Sequence, residues 1–513
     1  MVQAPSFRSF LTLALALALT LPTLTHAAWQ VPPEYALTPS PNGRFLQDAA
    51  GSPFFWQADT AWLLFHRLNH TEAETYLSDR ASKGFNVVLA VGFTQIGIDS
   101  PNRNGDLPFI DEDVTRPNEP YWAYVDEIVE LAWAKGIRIC LVPSWGKFVH
   151  DNENNPGVLN LTTSYPFGTF IGNRYPYLPK TLVGDTNPYW QNKTAVRDNY
   201  AAGGAPPVYA VTDYTPVYDA MARGIVDGER KAINSSSRSP LMTIHPTNQW
   251  FAGGPLALAS SFFGNYSWLT LDASQSGHTD YAPNPPIPWW NARRGWESVE
   301  LMYAAGNETG RVLPVIDNEP HYENRYNNGK AGNVAWNASD VRVGSWQAVF
   351  SGAAGLTYGA NAIQQMAIPG LFESDGTGPS DDWAADLVLP GSSQMQFVQK
   401  AMLDRGDSTS TYNNRIPAQD IILGDAGTDD KRVTATMDSN GGWIMVYTPT
   451  GEPFEIDTGR LSSCDVQASW YDPLDGEYTA FAFDGCGDVV RFEAPARAGH
   501  LDWVLVLEVG EVD

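Results

Sequence analysis

A (β/α)8 TIM barrel followed by a small all-β sandwich is the fold class this chain predicts, and three features of the sequence predict it. Eight short, almost continuous apolar runs alternate with helical stretches, as the strands of a parallel sheet covered on both faces must. Twice a helical stretch stops at a glycine that leads straight into such a run, at Gly84-Phe85-Asn86-Val87 and Gly136-Ile137-Arg138-Ile139. After about residue 400 the texture changes to period-2 runs separated by turn signals. The expected organisation is a signal peptide over residues 1–27, a barrel domain over 28–400 and a sandwich over 401–513.

Arg8, an apolar run from Phe10 to Leu21 and then Thr25-His26-Ala27 have the order of a secretory signal. That run is short for a bilayer, and no second stretch of about 18 apolar residues follows it. A soluble, secreted, extracellular protein is expected. The barrel strands are read at Phe54–Ala58, Asn86–Val91, Ile137–Pro143, Val208–Thr212, Leu241–His245, Trp268–Asp272, Val312–Asp317 and Gly355–Gly359. Thr71-Glu72-Ala73-Glu74 reads as a capping box for a helix that runs to about Lys83, and a second helix spans Tyr121 to Lys135. An open doubly wound sheet would use the same elements, but no Gly-x-Gly-x-x-Gly loop follows the early strands. Residues Phe372 to Ser393 read as a long barrel loop. In the sandwich, Asn440-Gly441-Gly442, Thr450-Gly451 and Asp475-Gly476 are hairpin signals. Cys464 and Cys486 are placed to form a disulfide there, whereas Cys140, inside an apolar run, reads as a buried thiol.

The chain of 513 residues carries a net charge of −26, a field that repels nucleic acid and anionic lipid, so neither is an expected partner. Aromatic residues reach 12% with 18 Trp, which excludes a disordered solvating chain and leaves the Trp surplus to be explained. Seven Asn-x-Ser/Thr sequons, at Asn69, Asn160, Asn192, Asn234, Asn265, Asn307 and Asn337, point to a eukaryotic secretory glycoprotein. A monomer is the expected state.

In a barrel the chemistry comes from residues just after the strands. The ionisable residues there are Asp59, Asp213, His245, Asp272, Asp317 and Glu319. Asp213 and Glu319 are the favoured pair. Thr215-Pro216 already supplies an N-cap and N1 for the next helix, and Glu caps and turns poorly, so structural roles explain neither carboxylate well. Two carboxylates across a barrel mouth can divide into a protonated acid and an ionised nucleophile or base, the pair glycoside hydrolysis needs. Trp62, Trp145, Tyr214 and Trp250 lie just beyond predicted strands beside Asp59, Lys147, Asp213 and Asn248. Aromatic faces beside polar planar groups suit sugar rings, although each Trp alone fits a core equally well. No nucleophile elbow, phosphate-binding loop or metal signature is present, and the His66/His70 pair has no carboxylate placed with it. No metal and no cofactor is expected.

The runs GRFLQDAAGSPFFWQADTAWLLFHRLNHTEAETYLSDRASKGFNVVLA and YWAYVDEIVELAWAKGIRICLVPSW, followed in order by VTDYTPVYDAMARGI, HPTNQW, LDASQSGH and VIDNEPHYE, resemble the apiosidase-like glycoside hydrolases. WYDPLDGEY and DWVLVLE resemble the ends of the collagen-binding-type domain that accompanies those barrels. The resemblance covers roughly residues 38 to 508. It implies hydrolysis of glycosidic bonds in plant cell-wall poly- or oligosaccharide, pectic or hemicellulosic, with Asp213 as general acid/base and Glu319 as nucleophile. Substrate contacts are expected from Asp59, Trp62, Trp145, Tyr214, His245, Asn248, Trp250, Asp272, His278 and Tyr322. One departure stands out: the family's strand-four motif commonly reads Gly-Gly-Asp, where this chain has Val211-Thr212-Asp213-Tyr214. The alternative from another class is a non-catalytic carbohydrate- or matrix-binding protein that uses the barrel as a scaffold.

Overall fold

The structure, a computed structural model, describes residues 1, 29–93, 96–152, 155–190, 212–247, 258–278, 294–405, 412–496 and 500–510. The expected signal peptide therefore lies outside the described residues, apart from Met1. Residues Val31–Asp513 form one compact unit.

Its first part is the barrel. The strands are β1 (Trp56–Thr60), β2 (Val87–Val91), β3 (Arg138–Val142), β4 (Lys180–Thr181), β5 (Met242–Thr243), β6 (Asp272–Ser274), β7 (Val315–Asp317) and β8 (Gly355–Tyr358). Strands β5-β4-β3-β2-β1-β8 form one parallel sheet, and β6 pairs in parallel with β7. The ring closes through Thr270 N–H donating to Met242 O at 3.0 Å and Ala354 N–H donating to Val315 O at 2.9 Å. A helix follows each strand: α1 (His70–Ser82), α2 (Glu119–Ala134), α3 (Ser164–Arg174), α4 (Thr215–Ala232), α5 (Ala259–Phe263), α6 (Gly295–Thr309), α7 (Ala338–Phe350) and α8 (Pro390–Leu403). Gly84 and Gly136 end α1 and α2 with φ of +79° each, the left-handed exit that a residue with a Cβ resists.

Six strands form on the apolar runs that predict them, β6 shares only Asp272 with its expected run Trp268–Asp272, and the fourth forms elsewhere. Thr212–Asp213 pairs antiparallel with Tyr189–Trp190 outside the barrel sheet, and residues 208–211 lie outside the described residues. The fourth barrel position belongs to Lys180–Thr181, continued by Val183–Gly184 in parallel with Ser144–Trp145. A lysine in the barrel wall disguises this strand in the sequence. The Lys180 ammonium is fully buried and lies 3.0 Å from Glu229 on α4, whose other oxygen accepts from Arg238 at 2.8 Å. Pairing of that kind is what makes a buried lysine tolerable.

Smaller corrections have similarly local causes. The cap of α1 is Asn69 rather than Thr71: its side chain accepts from Glu72 N at 3.0 Å while Glu72 accepts from Asn69 N at 2.8 Å. The loop expected over Phe372–Ser393 ends at Pro390, where α8 begins. Asn160, Asn234, Asn265, Asn307 and Asn337 are exposed and Asn69 is half-buried, while Asn192 lies outside the described residues. Among the described residues no helix is long and apolar enough to cross a membrane.

The C-terminal part stacks a six-stranded antiparallel sheet on a three-stranded one. Two of the expected hairpins form, Thr434–Asp438 with Trp443–Thr448 and Val466–Tyr471 with Tyr478–Phe481. The turn at Thr450-Gly451 instead carries the chain from the larger sheet to Phe454–Asp457 in the smaller. Ile444, Val446, Ile456, Trp470, Phe492, Leu505 and Leu507 fill the space between the sheets, and the Cys464–Cys486 disulfide is present.

Helix α7 ties the sandwich to the barrel. Arg342 donates to both carboxylate oxygens of Asp502, at 2.7 and 2.8 Å, with both side chains buried. Tyr447 donates to the same carboxylate at 3.1 Å, and Trp346 stacks on Tyr447. Replacing Asp502 by Ala strands the Arg342 charge in the interface, so denaturant unfolding is expected to show a loss of about 3–5 kcal/mol. An unchanged midpoint would show that water reaches the guanidinium and that the latch is dispensable.

Candidate active site

The ends of the barrel strands converge on Glu319, two residues past β7 and 5% exposed. A carboxylate taken out of water needs hydrogen-bond donors. His245, just after β5, places Nε2 2.8 Å from Glu319 Oε2. His278, on the loop after β6, places Nε2 2.6 Å from Oε1. The Tyr322 hydroxyl also bonds Glu319, and that charge together with burial keeps the phenol protonated well above its ordinary range. Burial alone would raise the Glu319 pKa. The two imidazoles overcome it and hold the carboxyl far below the usual range, so Glu319 is ionised.

The donors are positioned in turn. Asn318 Nδ2 lies 3.1 Å from His245 Nδ1. The loop carrying His278 is pinned by Asp317, which accepts from Ser276 N at 3.0 Å and Ser276 Oγ at 2.6 Å. Gly277 N–H donates to Glu319 O at 2.9 Å, and Gly277 O accepts from His321 Nδ1 at 2.6 Å. Trp62 Nε1 donates to the Tyr322 hydroxyl at 3.1 Å, and its indole meets the His245 ring edge-on.

A second carboxylate faces this group. Asp185 directly follows Val183–Gly184, and its Oδ1 accepts from Gln275 at 3.0 Å. Asp185, His245 and Glu319 each bring one atom within 4.8 Å of the other two. Burial, and then the nearby charge of Glu319, push the Asp185 pKa up to about 6. The spacing would suit a cation, but His245 Nε2 already donates to Glu319 and has no lone pair to offer one. Arg325 completes the surroundings: it donates to Asn361 Oδ1 at 2.8 Å and Thr377 Oγ1 at 2.7 Å, and its charge acts on Asp185 and His278.

Glu319, His245, His278, Tyr322, Trp62 and Trp145 are therefore brought together, Trp145 half-buried with its ring edge-on to Trp62. Other expected contacts fall elsewhere. Asp213 is exposed, and its carboxylate accepts the Thr215 backbone N–H at 2.8 Å, a local turn contact at the start of α4. The carboxylate beside Glu319 is Asp185, so the expected Asp213/Glu319 pairing is replaced by Asp185/Glu319. Asp59 is a core residue: its place on β1 points it at α1, where Arg80 Nε lies at 2.6 Å and Tyr76 donates at 2.6 Å. Asp272 accepts from Ser260 N at 2.9 Å, at the start of α5, and is buried. Tyr214 packs against His150. Asn248 and Trp250 lie outside the described residues. Asp185, Gln275 and Asn318 were not expected. The signal for Asp185 is Val183-Gly184-Asp185, a closer fit to the family's Gly-Gly-Asp than the Asp213 segment.

Residues 40–407 match the model of a family described as "Apiosidase-like, catalytic domain". Residues 416–508 match one described as "Putative collagen-binding domain of a collagenase". The chain is 27% identical to a solved structure named as a glycoside hydrolase, with 94% of this chain and 100% of that one covered and a TM-score of 0.76. It is 28% identical to a glycoside hydrolase family 5 protein from Bacteroides vulgatus ATCC 8482, with 94% of each chain covered and a TM-score of 0.75. No curated protein matches in sequence.

Two glycines make room for the site's rings: a Cβ on Gly184 would collide with Trp145, and one on Gly359 with Tyr322. Gly184→Ala is expected to displace Trp145 and lower kcat/KM by about 100-fold, because errors of about 1 Å in placement cost that much. Wild-type turnover in this variant would mean that the Trp145 ring position does not matter.

Proposed function

The chain belongs to the apiosidase-like family and is a glycoside hydrolase, and we propose that it is a secreted enzyme acting on pectic or hemicellulosic glycans with Glu319 as nucleophile and Asp185 as general acid/base. The observation that carries this reading is the split between two neighbouring carboxylates, one buried and one half-buried. Glu319 is held ionised and Asp185 is pushed toward the protonated state. Their separation, within 4.8 Å at the nearest atoms, is close to the roughly 5–5.5 Å of retaining enzymes and short of the roughly 6.5–9.5 Å that inversion needs.

In the first step Glu319 attacks the anomeric carbon while Asp185 gives its proton to the departing oxygen. The resulting ester removes the charge of Glu319, which is one of the two influences that raise Asp185. Asp185 then releases its proton more readily and serves as base toward the water that cleaves the ester. Trp62 and Trp145 form an apolar wall for the sugar ring. Secretion is supported by the leader segment and the Cys464–Cys486 disulfide, and glycosylation by the accessibility of the six described sequons. The cell-wall substrate class comes from the family resemblance. A purely carbohydrate-binding role would give the Asp185/Glu319 split no purpose.

Asp185→Asn is expected to lower kcat/KM about 10²- to 10⁴-fold on a panel of pectic and hemicellulosic oligosaccharides. Asp213→Ala should keep turnover and lose about 0.5–2 kcal/mol of stability, as helix-terminal contacts do. The reverse ranking of the two variants would return the acid role to Asp213. The pH profile adds a signed expectation. The acid must be protonated, so kcat/KM falls as pH rises through about 6, while ionised Glu319 imposes no loss until far lower pH. A profile that rises through pH 6 would contradict the assignment.

A further inference from the structure

We propose that Asn318 is a positioning residue of the hydrolysis, holding His245 as the neutral tautomer whose Nε2–H is donated to Glu319. This rests on the reading of Glu319 as nucleophile. The His245 ring is fully buried between two partners, Glu319 Oε2 at 2.8 Å from Nε2 and Asn318 Nδ2 at 3.1 Å from Nδ1. An amide NH2 can only donate, so Nδ1 must present its lone pair, and the single proton of a neutral imidazole then sits on Nε2. Asn318 is itself fixed, 1% exposed, with its backbone N–H donated to Ser274 O at 2.8 Å.

The groups facing His245 make this donation consequential. Glu319, Asp185 and Asp317 all favour a second proton on the ring, while His278 is the other imidazole in the cluster. A proton on Nδ1 would point at the Asn318 donor, so the amide opposes what the carboxylates favour. The outcome matters twice. An imidazolium would neutralise the nucleophile's charge, and it would lower the pKa of Asp185, on which His245 already acts in that direction. Asn318 thereby leaves the charge of Glu319 uncompensated by His245 while Asp185 stays protonated.

The direct test is nitrogen NMR of the whole protein with ¹⁵N-histidine. Among the eight histidines, the His245 signals are assigned by their loss in His245→Gln. At the pH of activity the wild type should show a protonated Nε2 and an unprotonated Nδ1. Asn318→Asp replaces the donor with an acceptor and should protonate both nitrogens at that pH. It should also lower kcat/KM at least about tenfold and move the alkaline limb of the profile to lower pH, as the positive charge gained on His245, the ring that faces Asp185, acidifies that carboxyl. A wild-type ring protonated at Nδ1 would overturn the proposal. So would an Asn318→Asp profile that is lower throughout with its limb unmoved. Should Asn318→Asp fail to fold, the wild-type tautomer decides alone. The spectra do not depend on turnover, so failure of the nucleophile assignment, seen as an active Glu319→Gln, is distinguishable.

Discussion

Keeping a charged carboxylate out of water at the mouth of a barrel is the constraint around which this molecule is arranged. Glu319 can stay ionised while 5% exposed only because His245, His278 and Tyr322 bond it. Each of those donors needs its own support, and one run of backbone supplies most of it. Asp317 and His321 pin the loop that bears His278, Asn318 bonds His245, and Tyr322 accepts from Trp62. Glu323 continues outward, accepting from Tyr358 at 2.6 Å and from Gly391 N at 3.2 Å, which ties the site to β8 and α8. The stretch Asp317 to Glu323 thus carries the buried carboxylate and its scaffold at once, because β7 is too short to hold these side chains by itself.

The second carboxylate follows from the same charge. Asp185 is half-buried within reach of Glu319, and ionising it there would set two negative charges against each other with limited water to screen them. One of the pair stays protonated, and the histidines decide which, by bonding Glu319. The rest of the chain keeps this geometry still. Buried ion pairs hold β4 to α4 through Lys180 and Glu229, β1 to α1 through Asp59 and Arg80, and the sandwich to α7 through Arg342 and Asp502. The Trp surplus belongs mostly to this supporting role: Trp56, Trp122, Trp346 and Trp443 are fully buried, and Trp62 and Trp145 stand at the site.

Most of the fold was legible because parallel strands covered on both faces read as apolar runs, as at Val87–Val91 and Arg138–Val142. The fourth strand was not, since its polar pair, Lys180 with Glu229, becomes visible only when α4 packs against it. That one misplacement put Asp213 where Asp185 stands beside Glu319, because both aspartates follow an apolar run and precede a turn. His245, His278, Tyr322 and Glu319 were legible as polar residues closing strands or strand-end motifs. Asp59 and Asp272 have the same local pattern, and only the packed helices show that they bond Arg80 and the Ser260 amide. Asn318 gave no signal in sequence, since its role depends on which ring nitrogen it meets.

The central claim is that Glu319 forms the covalent bond to the sugar. Incubating the enzyme with a 2-deoxy-2-fluoro glycoside of a sugar it releases slows breakdown of that intermediate and allows peptide mapping by mass spectrometry. One added glycosyl group on the peptide containing Glu319 is the expected result. An adduct on a different carboxylate, or release of product with inverted anomeric configuration and no adduct, would contradict it.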